Sequence, residues 1–210
     1  MKTDSTLLAF FFFFVLFAFI ARAEVVYDAN NVTLRNGANY YLVPPDIGGE
    51  VIAGAIIKKG NSSCSLAVVQ KLLHNNGWLT KIASPLRTLF ITTNFPLTMS
   101  FVRVPIPCTK DPQWLVTRIL GFGDAVMVGD AKEFPKPRSG WFYIKAYDSA
   151  KRHYKLVFCF KKDRCGHVGV KTDSGKNRRL IVTENKKVQP LVFKFVRQPR
   201  DVASDISMVV

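Results

Sequence analysis

Acidic residues are scarce in this chain of 210: 15 Asp and Glu stand against 30 Lys and Arg, a formal charge of +15. Histidine is scarcer still. His74, His153 and His167 are the only three, and none stands in a Ser/His/Asp or HExxH setting, which removes the usual hydrolase and metalloprotease chemistries. Only four cysteines occur, Cys64, Cys108, Cys159 and Cys165; with no CxxC-like pair among them they lack the ligand spacing of a zinc site. A phosphate-cradling glycine loop is missing too, because Gly121–Phe122–Gly123–Asp124 has no strand–helix context around it. The expectation is a protein that is not an enzyme and uses no cofactor or metal.

Long apolar runs are confined to one place. Leu7 to Ile20 is unbroken and rich in phenylalanine, Lys2 precedes it, and Ala21–Arg22–Ala23 follows as an A-x-A cleavage site. Residues 1–23 therefore read as a signal peptide, with the mature chain starting at Glu24. The run is shorter than the roughly 20 residues that cross a hydrocarbon core, and no later segment is long and apolar enough, so no membrane insertion is expected. The expected location is secreted, with the vacuole as an alternative. Export places the four cysteines in an oxidising compartment, where an even count favours two disulfides. Three pairings are open; the short span between Cys159 and Cys165 suits a local hairpin bridge, and Cys64 and Cys108 would then close a long loop. Asn31–Val32–Thr33 and Asn61–Ser62–Ser63 are candidate glycan acceptors.

Loss of Lys2, Arg22 and Asp4 with the leader leaves a charge of +14. Basic residues cluster at Lys58–Lys59, Lys161–Lys162 with Arg164, Arg178–Arg179, Lys186–Lys187 and Arg197 with Arg200. Such a surface favours acidic partners, among them acidic protein surfaces and polysaccharides. Nucleic acid is not expected, since the export signal opposes it and no nucleic-acid-binding pattern is present. Most of these pairs read as solvated turn residues.

Helical periodicity is nearly absent. Apolar residues come in short runs rich in β-branched and aromatic side chains: 40–43, 51–57, 66–69, 89–92, 141–144, 154–158, 180–183 and 191–196. Short strands separated by Gly, Pro, Asn and Asp indicate an all-β sandwich or barrel, between which period alone does not choose. No proline- or glycine-rich linker divides the chain. One domain is expected over residues 24–197, followed by a mobile tail, 198–210, that loses the strand pattern.

Between Cys64 and Cys108 lies Ile82–Ala83–Ser84–Pro85–Leu86–Arg87–Thr88–Leu89–Phe90. An exposed arginine on a proline-stiffened loop is a good substrate for a trypsin-like protease. Closed by a disulfide on a rigid body, that substrate can become an inhibitor. Pro85 fixes its own φ and restricts Ser84, and Thr88 is stiff at χ1. Phe90 can bury against the body of the domain and anchor the exit from the loop.

Four features then carry a resemblance across nearly the whole mature chain. The first is the opening segment from Val26–Tyr27–Asp28 through Leu34–Arg35–Asn36–Gly37 to Tyr40–Tyr41–Leu42. The second is the order and spacing of the cysteines. The third is Tyr154–Lys155–Leu156–Val157–Phe158–Cys159 followed by Cys165–Gly166–His167–Val168–Gly169–Val170. The fourth is Arg178–Arg179–Leu180–Ile181–Val182–Thr183 with Pro190–Leu191–Val192–Phe193–Lys194–Phe195 closing the domain. The chain resembles the plant Kunitz-type inhibitors of the soybean trypsin inhibitor family.

That resemblance implies a β-trefoil, twelve strands in a six-stranded barrel capped by a triplet of hairpins. It implies bridges Cys64–Cys108 and Cys159–Cys165, and a reactive-site loop made by Ser84, Pro85, Leu86, Arg87, Thr88 and Leu89 with Arg87–Thr88 as the scissile bond. Asn36 would project beneath the loop as its support, with Phe90 alongside. The partner would be a trypsin-type serine protease in a 1:1 complex with a monomeric inhibitor, in plant defence. The alternative is a non-inhibitory or differently targeted relative that uses its basic surface on a cysteine protease, a subtilisin, a carboxypeptidase or a polyanionic polysaccharide. The family usually has glycine where Asn31 stands, and asparagine is the residue that best tolerates a positive φ there.

Overall fold

A computed structural model describes residues 23–45, 49–59, 63–72, 77–104, 108–161 and 164–198; the side chains of 58, 59, 63, 64 and 161 are not among those described. Most of the short apolar runs lie in strands, thirteen among the described residues: β1 Asn39–Val43, β2 Glu50–Lys59, β3 Ser63–Leu72, β4 Thr80–Ala83, β5 Thr98–Phe101, β6 Trp114–Ile119 and β7 Gly123–Val128 come first. After them follow β8 Pro137–Arg138, β9 Trp141–Asp148, β10 His153–Lys161, β11 Arg164–Thr172, β12 Arg178–Thr183 and β13 Val192–Arg197. All pairings are antiparallel, in the order β5-β4-β1-β13-β10-β11-β12-β3-β7-β6-β8, with β2 on β3 and β9 on β10. The path closes on itself, because Ser100 of β5 bridges Gln113 and the Phe101 N–H donates to the Pro112 carbonyl at 2.9 Å, just ahead of β6.

Alternation along each strand fills the interior. Tyr40 and Leu42 of β1, Met99 and Phe101 of β5, and Phe193 and Phe195 of β13 are all buried, with polar neighbours between them facing out. An edge-to-face aromatic chain, Trp78–Phe101–Trp114–Phe142–Phe158, runs through the core with centroid spacings of 5.0, 5.1, 6.3 and 5.0 Å. Each such contact contributes about 0.5–1.5 kcal/mol beyond the area it buries.

Three hairpins, β2–β3, β6–β7 and β11–β12, meet in a triangle. Arg179 of β12 pairs with Val69 of β3, Ile181 of β12 with Ala125 of β7, and Ala67 of β3 with Met127 of β7. This triplet caps the barrel, and its inner strands are covered on both faces. Leu66, Val68, Val126, Val128, Leu180 and Val182 join the main core. Their alternates Ala67, Val69, Ala125 and Met127 form a second, outward-facing apolar cluster with Ile57, Ile119, Phe122 and Phe134 around it. Because β1 leads into the cap and β4 leads away from it, the connection after β4 lies at the barrel end remote from the cap.

Several expectations are corrected. Residues 89–92 form no strand: Arg35 bridges Phe90 and Val25 bridges Thr92, but no continuous ladder develops, since the partner segment turns at Asp28–Asn31. The two-residue β8 takes the strand count among the described residues beyond twelve. Nor are the basic pairs all solvated turn residues. Arg197 pairs with the buried Asp28 and donates to the Thr33 carbonyl, tying the last strand to the first segment. Arg178 bonds Gln70 and pairs with Glu50, and Arg179 is buried. Asn31 takes the left-handed conformation expected of it, at φ 59°.

Cys159 and Cys165 face each other across β10 and β11 and are disulfide-bonded. Cys108 is also in a disulfide. The side chain of Cys64, its expected partner, lies outside the described residues, as do Asn61, most of the leader and the tail beyond Gln198.

Candidate protease-binding loop

The connection from β4 to β5 carries the candidate site. It leaves the sheet at Ala83, whose carbonyl accepts from the Thr98 hydroxyl at 3.2 Å, and returns to the core at Ile91, which is fully buried. Between them Pro85, Leu86, Arg87 and Leu89 are exposed, Leu89 at 81%. Arg87 sits at the apex of a three-residue turn closed by the Thr88 N–H donating to the Leu86 carbonyl at 2.8 Å. Its guanidinium is therefore presented to solvent on a bend that its own backbone closes.

The segment 34–38 runs beneath. Ile91 donates to Leu34 at 2.9 Å, Asn36 donates from its backbone to Leu89 at 2.9 Å, and Gly37 to Ile82 at 2.8 Å, so both legs of the loop are pinned to one strip of chain. Gly37 is at φ +78° with open space around its Cα; the constraint there is the left-handed backbone, not room for a side chain. This turn aims the Asn36 side chain up into the loop. Its Nδ2 donates to the carbonyls of Ser84 at 3.3 Å, Leu86 at 3.3 Å and Thr88 at 3.0 Å, while its Oδ1 accepts from the Ser84 N–H at 2.8 Å. Ser84 adds a further contact, its hydroxyl accepting from the Leu86 N–H at 3.2 Å. One amide thus grips the loop on both sides of the Arg87–Thr88 peptide bond.

One expectation about this loop changes. Phe90 does not bury at the rim; it is 40% exposed, and the anchor is the next residue, Ile91, packed with Leu34 in the core. The bridge to Arg35 fixes the side of the strip on which each residue falls, and it turns residue 91 inward rather than residue 90. Thr88 is half-buried, and its Oγ1 is buried without a hydrogen-bond partner among the described residues. The backbone grip of the segment 34–38 and the anchoring role of Ile91 were not apparent from residue types, although the run Leu89–Phe90–Ile91–Thr92 signalled that some residue there would enter the core.

Elsewhere His167 donates from Nε2 to the Val188 carbonyl, 2.7 Å away, which makes it a fastening between β11 and the segment before β13. No cluster of metal-ligating side chains occurs among the described residues.

Residues 26–197 match the legume Kunitz family model, described as "Trypsin and protease inhibitor". The chain is 34% identical to trypsin inhibitor A of Glycine max, over 91% of this chain and 92% of the relative. It is 33% identical to trypsin inhibitor 2 of Psophocarpus tetragonolobus, over 80% and 93%. Among solved structures it is similar to trypsin inhibitor 1 from Senna obtusifolia, with a TM-score of 0.74, 38% identity and coverage of 90% and 99%. It is also similar to a complex of porcine pancreatic trypsin with soybean trypsin inhibitor, at a TM-score of 0.72, 31% identity and coverage of 84% and 100%. The closed barrel with its three-hairpin cap is accordingly a β-trefoil, and the chain belongs to the plant Kunitz-type family of protease inhibitors, whose members are not enzymes.

Proposed function

We propose that this protein inhibits trypsin-type serine endopeptidases one-to-one by offering Arg87 to the primary specificity pocket, with Arg87–Thr88 as the scissile bond. The observation that carries the reading is the Asn36 amide, which holds the Leu86 carbonyl before that bond and the Thr88 carbonyl after it. An exposed arginine supplies recognition, since its planar fork suits a carboxylate at a pocket floor. Recognition alone would make a substrate. With both new ends held in place after cleavage, the amine stays beside the acyl carbon and the peptide bond re-forms, while a loop ordered in advance loses little entropy on binding.

The leader supports secretion, and membership of this family supports a role in plant defence. Asn31 is exposed and belongs to a sequon, so it is the glycan acceptor proposed among the described residues; its Oδ1 accepts from the Arg152 Nε at 2.9 Å.

A cleavage equilibrium tests the reading directly. Incubated with a trace of trypsin at mildly acidic pH, the protein is expected to settle into a mixture of intact and Arg87–Thr88-cleaved chains, and each purified form should inhibit stoichiometrically. Complete cleavage to a product that no longer inhibits would show the loop to be an ordinary substrate.

A further inference from the structure

The outer face of the cap holds a buried cation with too few partners. Arg179 projects from β12 on the side opposite the core, and only 6% of its side chain is exposed. Of its five N–H donors, Nε has no hydrogen-bond partner among the described residues. Among the described residues Nη2 reaches only the Met127 sulfur, 3.1 Å away, a weak acceptor. Nη1 lies 3.8 Å from the Asp173 Oδ2, too long for a hydrogen bond. Asp173 is itself occupied, taking the Asn177 N–H at 2.9 Å and the Asn177 amide at 3.2 and 3.3 Å. The Phe122 ring covers one face of the guanidinium at 4.6 Å. Burial pulls the Arg179 pKa below its ordinary value, with Asp173 opposing, which is the mark of a charge poorly compensated for lost water.

Arg179 lines a pocket of about 540 Å³. Its walls are mainly apolar, formed by Ile57, Ile119, Leu120, Met127, Phe134 and Pro135, with Ser65 and Thr117 among them. Leu120, at the tip of the β6–β7 turn, is 96% exposed, an apolar side chain left at the mouth with nothing to cover it. Arg118 and Lys136 stand at the rim; Arg118 is neutralised by Asp124 through contacts of 2.8 and 3.0 Å. The volume falls within the range of small-molecule sites, and such sites combine apolar walls with a few convergent polar groups.

We propose that this pocket binds a small amphiphilic carboxylate, with its head on the Arg179 guanidinium and its apolar body along Ile57, Ile119 and Phe134. A carboxylate would fill the donors the protein leaves open, and charge-assisted contacts of this kind are the strong ones. A neutral or cationic body of the same shape gains only the walls. The cap lies at the barrel end remote from residues 84–90, so the site is separate from the protease-binding loop and stands independently of it.

Titration calorimetry on the intact protein with octanoate, octan-1-ol, octylammonium and inorganic phosphate tests this. Octanoate is expected to bind saturably at one site, octan-1-ol about tenfold or more weaker, and octylammonium and phosphate not measurably. Arg179→Met keeps the stem and removes the fork, and is expected to reduce octanoate to the level of the alcohol. Leu120→Glu changes only a fully exposed mouth residue and is expected to weaken octanoate while leaving thermal unfolding unchanged, so it decides the matter if Arg179→Met fails to fold. Equal binding of octanoate and octan-1-ol, no saturable octanoate binding, or wild-type octanoate affinity in either Leu120→Glu or a folded Arg179→Met overturns the proposal.

Discussion

Asn36 and Arg179 are both planar polar side chains held against the body of the barrel, and they differ in how far their hydrogen-bonding capacity is filled. Asn36 donates to three carbonyls and accepts from one N–H, all in the same short loop. Among the described residues Arg179 has a thioether, an overlong carboxylate contact and an Nε with no partner. A saturated polar group fixes the chain around it, whereas an unsaturated one keeps a binding capacity that folding has not used. The contrast places rigidity beneath residues 84–90 and an unfilled electrostatic demand in the cap.

The largest effect expected is on the exposed side of the saturated region. Arg87→Ala should weaken trypsin inhibition by about 2–5 kcal/mol or more, the cost of removing one partner of a buried charge pair at an interface. Thermal unfolding should not move, because Arg87 is exposed. Inhibition constants and melting curves measured together separate the two. An unaltered inhibition constant would place the active surface elsewhere, and the basic face would become the candidate.

Next in size is the anchor. Ile91→Ala should cost about 2–5 kcal/mol of stability in denaturant titrations, as deletions in filled cores do, since Ile91 is fully buried with Leu34. Phe90→Ala removes a larger side chain that is already 40% exposed and should cost less than Ile91→Ala. The reverse ranking would mean that the ring, not the isoleucine, secures the loop exit.

Asn36→Ala follows. It leaves the Ser84 N–H and three carbonyls without their amide partner, which should lower stability by about 1–3 kcal/mol. Its sharper signature is kinetic: inhibition should begin normally and then decay as the released ends drift apart. Chromatography of the incubated mixture would show the cleaved form accumulating. A variant that inhibits as durably as the parent would transfer the support to the backbone bonds of segment 34–38.

Much of this was legible in residue types. Alternating apolar runs marked the strands, because one face of each must enter the barrel, and Pro85 with Arg87 marked the loop. Residue pattern did not separate Phe90 from Ile91, since the side on which each falls is set by bridges to Arg35 and Val25 that are distant in sequence. Nor did it separate Arg178 from Arg179. Adjacent strand residues point to opposite faces, and only the meeting of β12 with β3 and β7 decides that Arg179 is the one enclosed by Met127 and Phe122. The triangle of hairpins is a tertiary event, and a run of six residues carries no record of it.

The smallest expected effect bears most directly on the contrast. Arg179→Met should change stability by no more than about 1 kcal/mol. Removing one member of a buried ion pair usually costs several kcal/mol because the other charge is stranded. Here Asp173 keeps its three contacts from Asn177, so little is stranded. Replacing the guanidinium with an apolar end in an apolar cluster also ends the desolvation of a poorly paired charge. Denaturant titration of Arg179→Met beside Asn36→Ala measures the two directly. If the methionine variant lost as much stability as the alanine one, the Arg179 fork would already be engaged in holding the cap together, and the idea of unused capacity at that position would fail.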